Sequence, residues 1–100
     1  MNASKAIEKM LVVSTTHISQ KTAMWLSNGG YSGALFDKRD EDLFGWFIGI
    51  NLDEPDTYLD TNIPEDLRAI FEKAAEEECW WICLDREGFE IDGLAKYQWD

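Results

Sequence analysis

Ser14, Thr16 and His17 are the residues of this chain whose types and spacing could support nucleophilic chemistry. An imidazole can act as general base towards a hydroxyl within hydrogen-bond reach, and a carboxylate can orient the ring. A lone histidine near the start of a helix, however, more often caps the helix or packs against it. We therefore predict no catalytic residue and no enzymatic activity. A small enzyme or ligand-binding domain that uses these three residues remains the alternative.

The two cysteines, Cys79 and Cys83, have a spacing that fits neither a redox pair nor a zinc-binding pair. On a strand they would lie on one face, about 13 Å apart. That distance excludes a disulfide between them. Two buried free thiols are typical of a reducing compartment, so we predict a cytoplasmic protein.

Metal and phosphate sites are not indicated by the sequence. The acidic residues of the 51–62 segment lack the spacing of a calcium-binding loop. Gly29 and Gly30 follow a predicted helix instead of opening one, and no Lys-Ser or Lys-Thr pair completes a phosphate loop. We predict no metal and no cofactor.

The apolar run at residues 10–13 is too short to cross a membrane.

Charge is distributed very unevenly along the chain. The sequence has 9 Lys and Arg against 20 Asp and Glu, a formal net charge of −11, and residues 51–100 carry 15 of the acidic side chains. Such a field repels phosphate groups and anionic lipid and attracts basic surfaces. We predict no direct nucleic-acid binding, no membrane binding, and a protein partner with a basic surface.

The elements that must position these residues follow from composition and periodicity. With 100 residues, of which 45% are hydrophobic, the chain is predicted to form a single domain over residues 1–100. Apolar β-branched runs predict strands, and apolar residues at helical spacing predict helices. The predicted strands are 10–14, 34–37, 43–50, 80–85 and 89–91, and the predicted helices are 19–27 and 64–78.

This order of elements predicts the α+β class. The expected architecture is a two-layer sandwich, with an antiparallel sheet of four to five strands and two helices on one face. The β-α-β-β-α-β-β order is compatible with a ferredoxin-like arrangement.

The second predicted helix carries an acidic stripe on its outer side. Glu65, Glu72 and Glu76 recur at one angular position, and Glu77 and Glu78 add two acids at the C-terminal end. The helix dipole disfavours negative charge at that end. Acids placed there against this preference, without a structural gain, indicate a functional role.

Tryptophan is abundant, with five residues in the chain. Trp80 and Trp81 are adjacent and would lie on opposite faces of a strand, so some tryptophans are expected on the open face of the sheet. Tryptophan is enriched at the energetic centres of protein interfaces. The predicted partner-binding residues are Asp53, Glu54, Asp56, Glu65, Glu72, Glu76, Glu77, Glu78, Trp46, Trp80 and Trp81. A structural homodimer through the open face is a further alternative.

Several short motifs resemble a family of small uncharacterised domains from phages and bacterial mobile elements. They comprise Leu11, Val12, Val13, Ser14, Thr15, Thr16, His17, Ile18, Thr22, Ala23, Trp25, Leu26, Pro64, Leu67, Cys79, Trp81, Asp85, Leu94, Tyr97 and Trp99. The resemblance implies a phage or mobile-element setting, and hence the cytoplasm of a bacterial host, and no established catalytic residues.

Together, the charge and the resemblance predict an anti-defence protein that binds and inhibits a host nucleic-acid-handling complex. A CRISPR effector or a nuclease is the expected kind of target. Inhibition would result from acidic mimicry of nucleic acid or from obstruction of a basic groove.

Overall fold

A computed structural model describes residues 7–31, 34–38 and 44–98 and shows an α+β fold. A 3-10 turn at Thr15–His17 links the first strand to the first helix. The strands are β1 (Met10–Ser14), β2 (Ala34–Lys38), β3 (Phe44–Gly49) and β4 (Trp81–Asp85), and the helices are α1 (Gln20–Ser27), α2 (Pro55–Tyr58) and α3 (Glu65–Glu76). The α+β prediction is confirmed.

The strands form one mixed sheet in the order β1-β4-β3-β2. β2 and β3 are an antiparallel hairpin, β3 and β4 are also antiparallel, but β1 runs parallel to β4 at the edge of the sheet. The predicted all-antiparallel sheet, and with it the ferredoxin-like order, is therefore wrong. The order of elements along a chain does not encode strand order, and the long connection between β1 and β4 allows them to pair in parallel.

One face of the sheet and two helices share a buried core. Trp46 and Val13 both pair with Leu84, and Ile48 and Leu11 both pair with Ile82, so these side chains lie on one face. Helix α1 adds Ala23 and Leu26 to the same buried cluster, and α3 adds Leu67, Ile70, Phe71 and Ala74.

Local signals in the sequence mark the start and the end of helix α1. The Ser19 hydroxyl accepts a hydrogen bond from the Thr22 N–H at 3.2 Å and caps the start of α1. Beyond the other end of α1, Gly29 adopts a φ of +80°, as a residue after a helix commonly does. The structure thus confirms the predicted helix at 19–27, with Ser19 as its cap.

Two segments differ from the prediction. The acidic loop at 51–62 contains the short helix α2, which Pro55 opens. Residues 89–91 do not form a strand against β4, because Phe89 makes an isolated parallel bridge to Val13 of β1. Gly88 permits this crossing, since a Cβ there would come within 2.6 Å of the Val13 carbonyl group. We call residues 89–97 the C-terminal strap.

Candidate functional site: an acidic helix surface and a buried histidine

The acidic stripe lies on the face of α3 that points away from the core. Residues Glu65, Glu72 and Glu76 are all exposed, whereas Leu67 and Phe71 are fully buried. At about 100° per residue, the three glutamates fall within a narrow sector opposite the apolar residues, and the stripe is roughly 16 Å long. The structure therefore brings these three predicted residues together on one exposed surface.

Basic side chains lie at the margins of this stripe. Lys73 Nζ is 3.6 Å from Glu76 Oε2, an exposed ion pair between neighbouring turns. Arg68 Nη1 donates to the Asp60 carbonyl oxygen at 3.5 Å. Exposed ion pairs of this kind are weak, so the surface remains predominantly negative.

The C-terminal end of α3 has a Schellman motif with a glutamate in the position that glycine usually occupies. Glu78 has a φ of +58°. The Glu78 N–H donates to the Ala75 carbonyl at 3.0 Å, and the Cys79 N–H donates to the Ala74 carbonyl at 2.8 Å. A non-glycine residue in this left-handed conformation costs roughly 1–2 kcal/mol.

A lysine from outside the helix compensates part of the charge at this end. The Lys9 ammonium donates a hydrogen bond to the Glu77 carbonyl oxygen. A cation in this position interacts favourably with the helix dipole and with the carbonyls of the last turn. Glu77 and Glu78 themselves are exposed and follow α3 in the chain, before β4.

The second acidic group lies around α2. Asp53, Glu54 and Asp56 are exposed, and the Asn51 side chain accepts the Asp53 N–H at 3.0 Å. Asp56 lies in the first turn of α2, where the helix dipole favours negative charge. In the part of the chain that the structure describes, no cluster of three or more His, Cys, Asp or Glu could hold a metal ion.

The three predicted tryptophan anchors lie in different environments. Trp46 is 2% exposed in the core, which corrects its prediction as a partner-binding residue. It shares a buried cluster with residues of α1 and α3. Trp80 and Trp81 are half-buried. The Trp81 indole N–H donates to Glu8 Oε1 at 3.2 Å, and its ring lies beside Gly49.

His17 is buried and both its ring nitrogens are bound to the C-terminal strap. Nε2 accepts a hydrogen bond from the Ile91 N–H at 2.9 Å, and Nδ1 lies 2.8 Å from the Ala95 carbonyl oxygen. These partners assign a neutral ring with its proton on Nδ1. The Ser14 hydroxyl accepts from the Thr16 hydroxyl at 3.0 Å. This geometry leaves neither ring nitrogen to activate a hydroxyl and gives no support to the catalytic alternative.

The cysteines are buried and form no disulfide. Burial raises the pKa of the Cys79 thiol, which Lys9 partly offsets. A buried thiol of raised pKa is a poor nucleophile.

Asp66 organises the contact between α1 and α3, and sequence analysis missed it. Its carboxylate accepts the Ser19 N–H at 2.7 Å, the Leu67 N–H at 3.0 Å, and the Thr22 hydroxyl at 2.7 and 2.8 Å to its two oxygens. An acid in the first turn of a helix is a recognisable signal, but nothing local predicts that Asp66 also binds α1.

Two adjoining grooves flank this contact, with volumes of about 610 and 360 Å³, and both are lined by Glu65, Asp66 and Tyr97. The larger groove also includes Lys21, Trp25 and Arg68, and the smaller one reaches His17. Their mixture of both charges and aromatic rings does not select one class of ligand.

Among the described residues, no helix has the length and apolarity to span a membrane.

Comparison with known protein families identifies the domain. Residues 10–99 match the C-terminal domain of a family of unknown function, DUF5983. The chain belongs to this family. No curated protein and no solved structure matches the chain.

Membership of the DUF5983 family confirms the resemblance to an uncharacterised domain family. The matched range includes strands β1 to β4, the acidic stripe, His17 and the C-terminal strap. The family description assigns no activity, so the function is argued from the surface and the buried contacts.

Proposed function

We propose that this domain is an inhibitory binding protein whose acidic surface occupies the basic, nucleic-acid-binding surface of a partner protein. The observation that carries the proposal is the exposed acidic face of α3, and Glu77 and Glu78 just after the helix are exposed as well. Folding does not need these charges, because the opposite face of the helix supplies the core contacts. We also propose a phage or mobile-element setting, with a host CRISPR effector or nuclease as the partner in the bacterial cytoplasm.

The charge density of the stripe favours obstruction over imitation of a duplex. Double-stranded DNA carries one charge per about 1.7 Å of its axis. Along α3, the carboxylates of Glu65, Glu72 and Glu76 are spaced roughly 8 Å apart on average. The stripe is thus about five times sparser than duplex DNA. We therefore favour a mode in which the domain blocks a basic groove and electrostatic attraction accelerates association.

Aromatic contacts beside the acidic surface would supply the remaining affinity. Trp80 and Trp81 follow α3 directly in the chain and remain partly accessible. We infer a two-layer arrangement in which α1 and α3 cover the face with Trp46, and Trp81 lies on the opposite face. Charged residues would then steer the encounter, and the tryptophans would slow dissociation.

A pull-down from a bacterial lysate, with tagged protein and stepwise salt elution, tests the proposal. The key variant is Glu72→Lys with Glu76→Lys, which reverses the outer face of α3. The matched control is Glu87→Lys with Asp92→Lys, which changes net charge equally at exposed residues outside α3. We expect the unaltered protein and the control to retain a basic partner, identified by mass spectrometry, and the α3 variant to lose it.

Two outcomes would contradict the proposed surface. Equal capture by the α3 variant would show that the stripe does not contact the partner. Equal loss in both variants would show that total charge, and not this surface, governs the association. Capture that high salt does not release would argue against an electrostatic mode.

A homodimer is the second candidate, supported by apolar side chains on the sheet face opposite the core. Met10 and Val12 are 42% and 37% exposed there, and Trp81 lies next to them through the β1–β4 pairing. Exposed apolar patches on soluble domains often mark interfaces. A monomeric mass in sedimentation equilibrium over a wide concentration range would exclude this candidate.

A further inference from the structure

We propose that His17 is a pH-sensitive latch: its neutral ring holds the C-terminal strap against the domain, and protonation of the ring releases the strap. The inference does not depend on the proposed binding partner. It rests on the hydrogen bonds between the strap and the segment that follows β1.

Four hydrogen bonds attach the strap to the chain between Ser14 and His17. The Ser14 N–H donates to the Phe89 carbonyl at 2.9 Å, and the Tyr97 N–H donates to the Thr16 carbonyl at 2.7 Å. The other two, at 2.9 and 2.8 Å, pass through the two nitrogens of the His17 ring. One titratable side chain therefore supplies half of these attachments, and it does so at the middle of the strap.

The hydrogen bond from Ile91 is compatible only with an unprotonated Nε2. A proton on Nε2 would place an N–H group against the Ile91 N–H at 2.9 Å, and each donor would then lack an acceptor. The ring is 2% exposed, so water cannot replace the lost partner without movement of the strap. An unsatisfied buried donor is costly enough to shift a local equilibrium by about tenfold. An imidazole exposed to water changes charge between pH 5 and 8, so lower pH in that range favours a released strap, in which the ring is exposed.

The surroundings of the ring allow it to become charged once the strap has moved. From α3, Glu65 and Asp66 line the groove that His17 adjoins. From the strap, Glu90 forms an ion pair with Lys96 at 2.9 Å, which lowers the pKa of the Glu90 carboxyl. Tyr97 lines the same groove, and the residues beside His17 in its own turn are neutral threonines.

In the released state, the charged His17 ring no longer binds the C-terminal strap. A charged ring can turn from Ile91 towards the carboxylates of the groove, where acidic neighbours stabilise it. Ile91 and Leu94, which pack against the core, would then be the next contacts to loosen. The strap would open before the sheet, because β4 is held on both sides by β1 and β3.

Amide hydrogen exchange of the whole chain at pH 7.5 and 5.5 tests the latch, with rates corrected for intrinsic exchange and β4 amides as internal reference. We expect the opening of residues 89–97 to increase about tenfold at the lower pH, while β4 remains protected. His17→Gln, which offers an acceptor and a donor but does not titrate, should show no such increase. Equal pH dependence in the two proteins, or a strap that stays closed at pH 5.5, would overturn the proposal.

A nuclear magnetic resonance titration of the unaltered protein keeps the proposal testable if the variant does not fold. The imidazole nitrogens should report protonation of Nε2, and the Ile91 amide signal should change over the same pH range. Ring protonation without a change at Ile91 would overturn the latch. A ring that stays neutral until the whole domain unfolds would also overturn it.

Discussion

The two faces of α3 differ in what they contribute. On the inner face, Leu67, Ile70, Phe71 and Ala74 are fully buried. On the outer face, Glu65, Glu72 and Glu76 are exposed, and one forms a weak ion pair with Lys73. The inner face therefore contributes to the stability of the fold, whereas the outer face is accessible to a partner protein. Four variants sharpen this comparison, and they are described from the largest expected effect to the smallest.

Phe71→Ala should have the largest effect on the inner face. Phe71 contacts the rings of Tyr31 and Tyr58, with ring centroids 5.2 and 6.5 Å apart. Its truncation should lower the free energy of unfolding by about 3–5 kcal/mol, measured by urea denaturation. The adjacent outer residue provides the control, Glu72→Ala, which should unfold as the unaltered protein does. A loss below about 1 kcal/mol for Phe71→Ala would show that the site is not tightly packed.

Asp66→Ala should have the next largest effect, at the junction of the two helices. It removes the acceptor for the Ser19 N–H and for the buried Thr22 hydroxyl. We expect a loss of about 1–3 kcal/mol in the same denaturation experiment. Asp66→Asn, which keeps one oxygen, should lose less. Similar losses in the two variants would argue that the charge of Asp66, and not its acceptor geometry, is what matters.

Glu78→Gly should stabilise the domain, because glycine adopts the left-handed conformation at the end of α3 without steric cost. We expect a gain of about 1 kcal/mol in the free energy of unfolding. Glu78→Ala is the control, since it removes the same charge but keeps the backbone strain. If both variants gain equally, the repulsion among acids at this helix end, and not the conformation, is the cause.

Glu72→Gln with Glu76→Gln should have the smallest effect on stability. Substitutions at exposed sites usually change the free energy of unfolding by less than about 0.5 kcal/mol. Circular dichroism and urea denaturation should therefore not distinguish the pair from the unaltered protein. A clear loss of stability would show that the outer face also contributes to folding. It would contradict the claim that the two faces of α3 have different roles.

Local signals explain how much of the fold could be predicted. Ser19 and Gly29 mark the ends of α1, and the spacing of Leu67, Ile70 and Phe71 identifies the inner face of α3. The parallel pairing of β1 with β4 could not be predicted, because strand order depends on packing between distant segments. The burial of Trp46 was missed for the same reason, since its face of β3 is decided by which side the helices cover.

One candidate site could be predicted from the sequence, and the other could not. The acidic stripe could be predicted, because helical periodicity alone places its three glutamates together. The role of His17 could not, since Ile91 and Ala95 lie 74 and 78 residues away in the chain. A histidine that binds the main chain leaves no pattern in the residue types of its partners.

The most direct test of the central claim is the salt dependence of binding to the captured partner, for the unaltered protein and for Glu72→Gln with Glu76→Gln. Our account predicts that the affinity of the unaltered protein falls steeply as salt rises. It also predicts that the variant binds more weakly at low salt and depends less on salt. Identical affinities and identical salt dependence in the two proteins would contradict the claim that the outer face of α3 binds the partner.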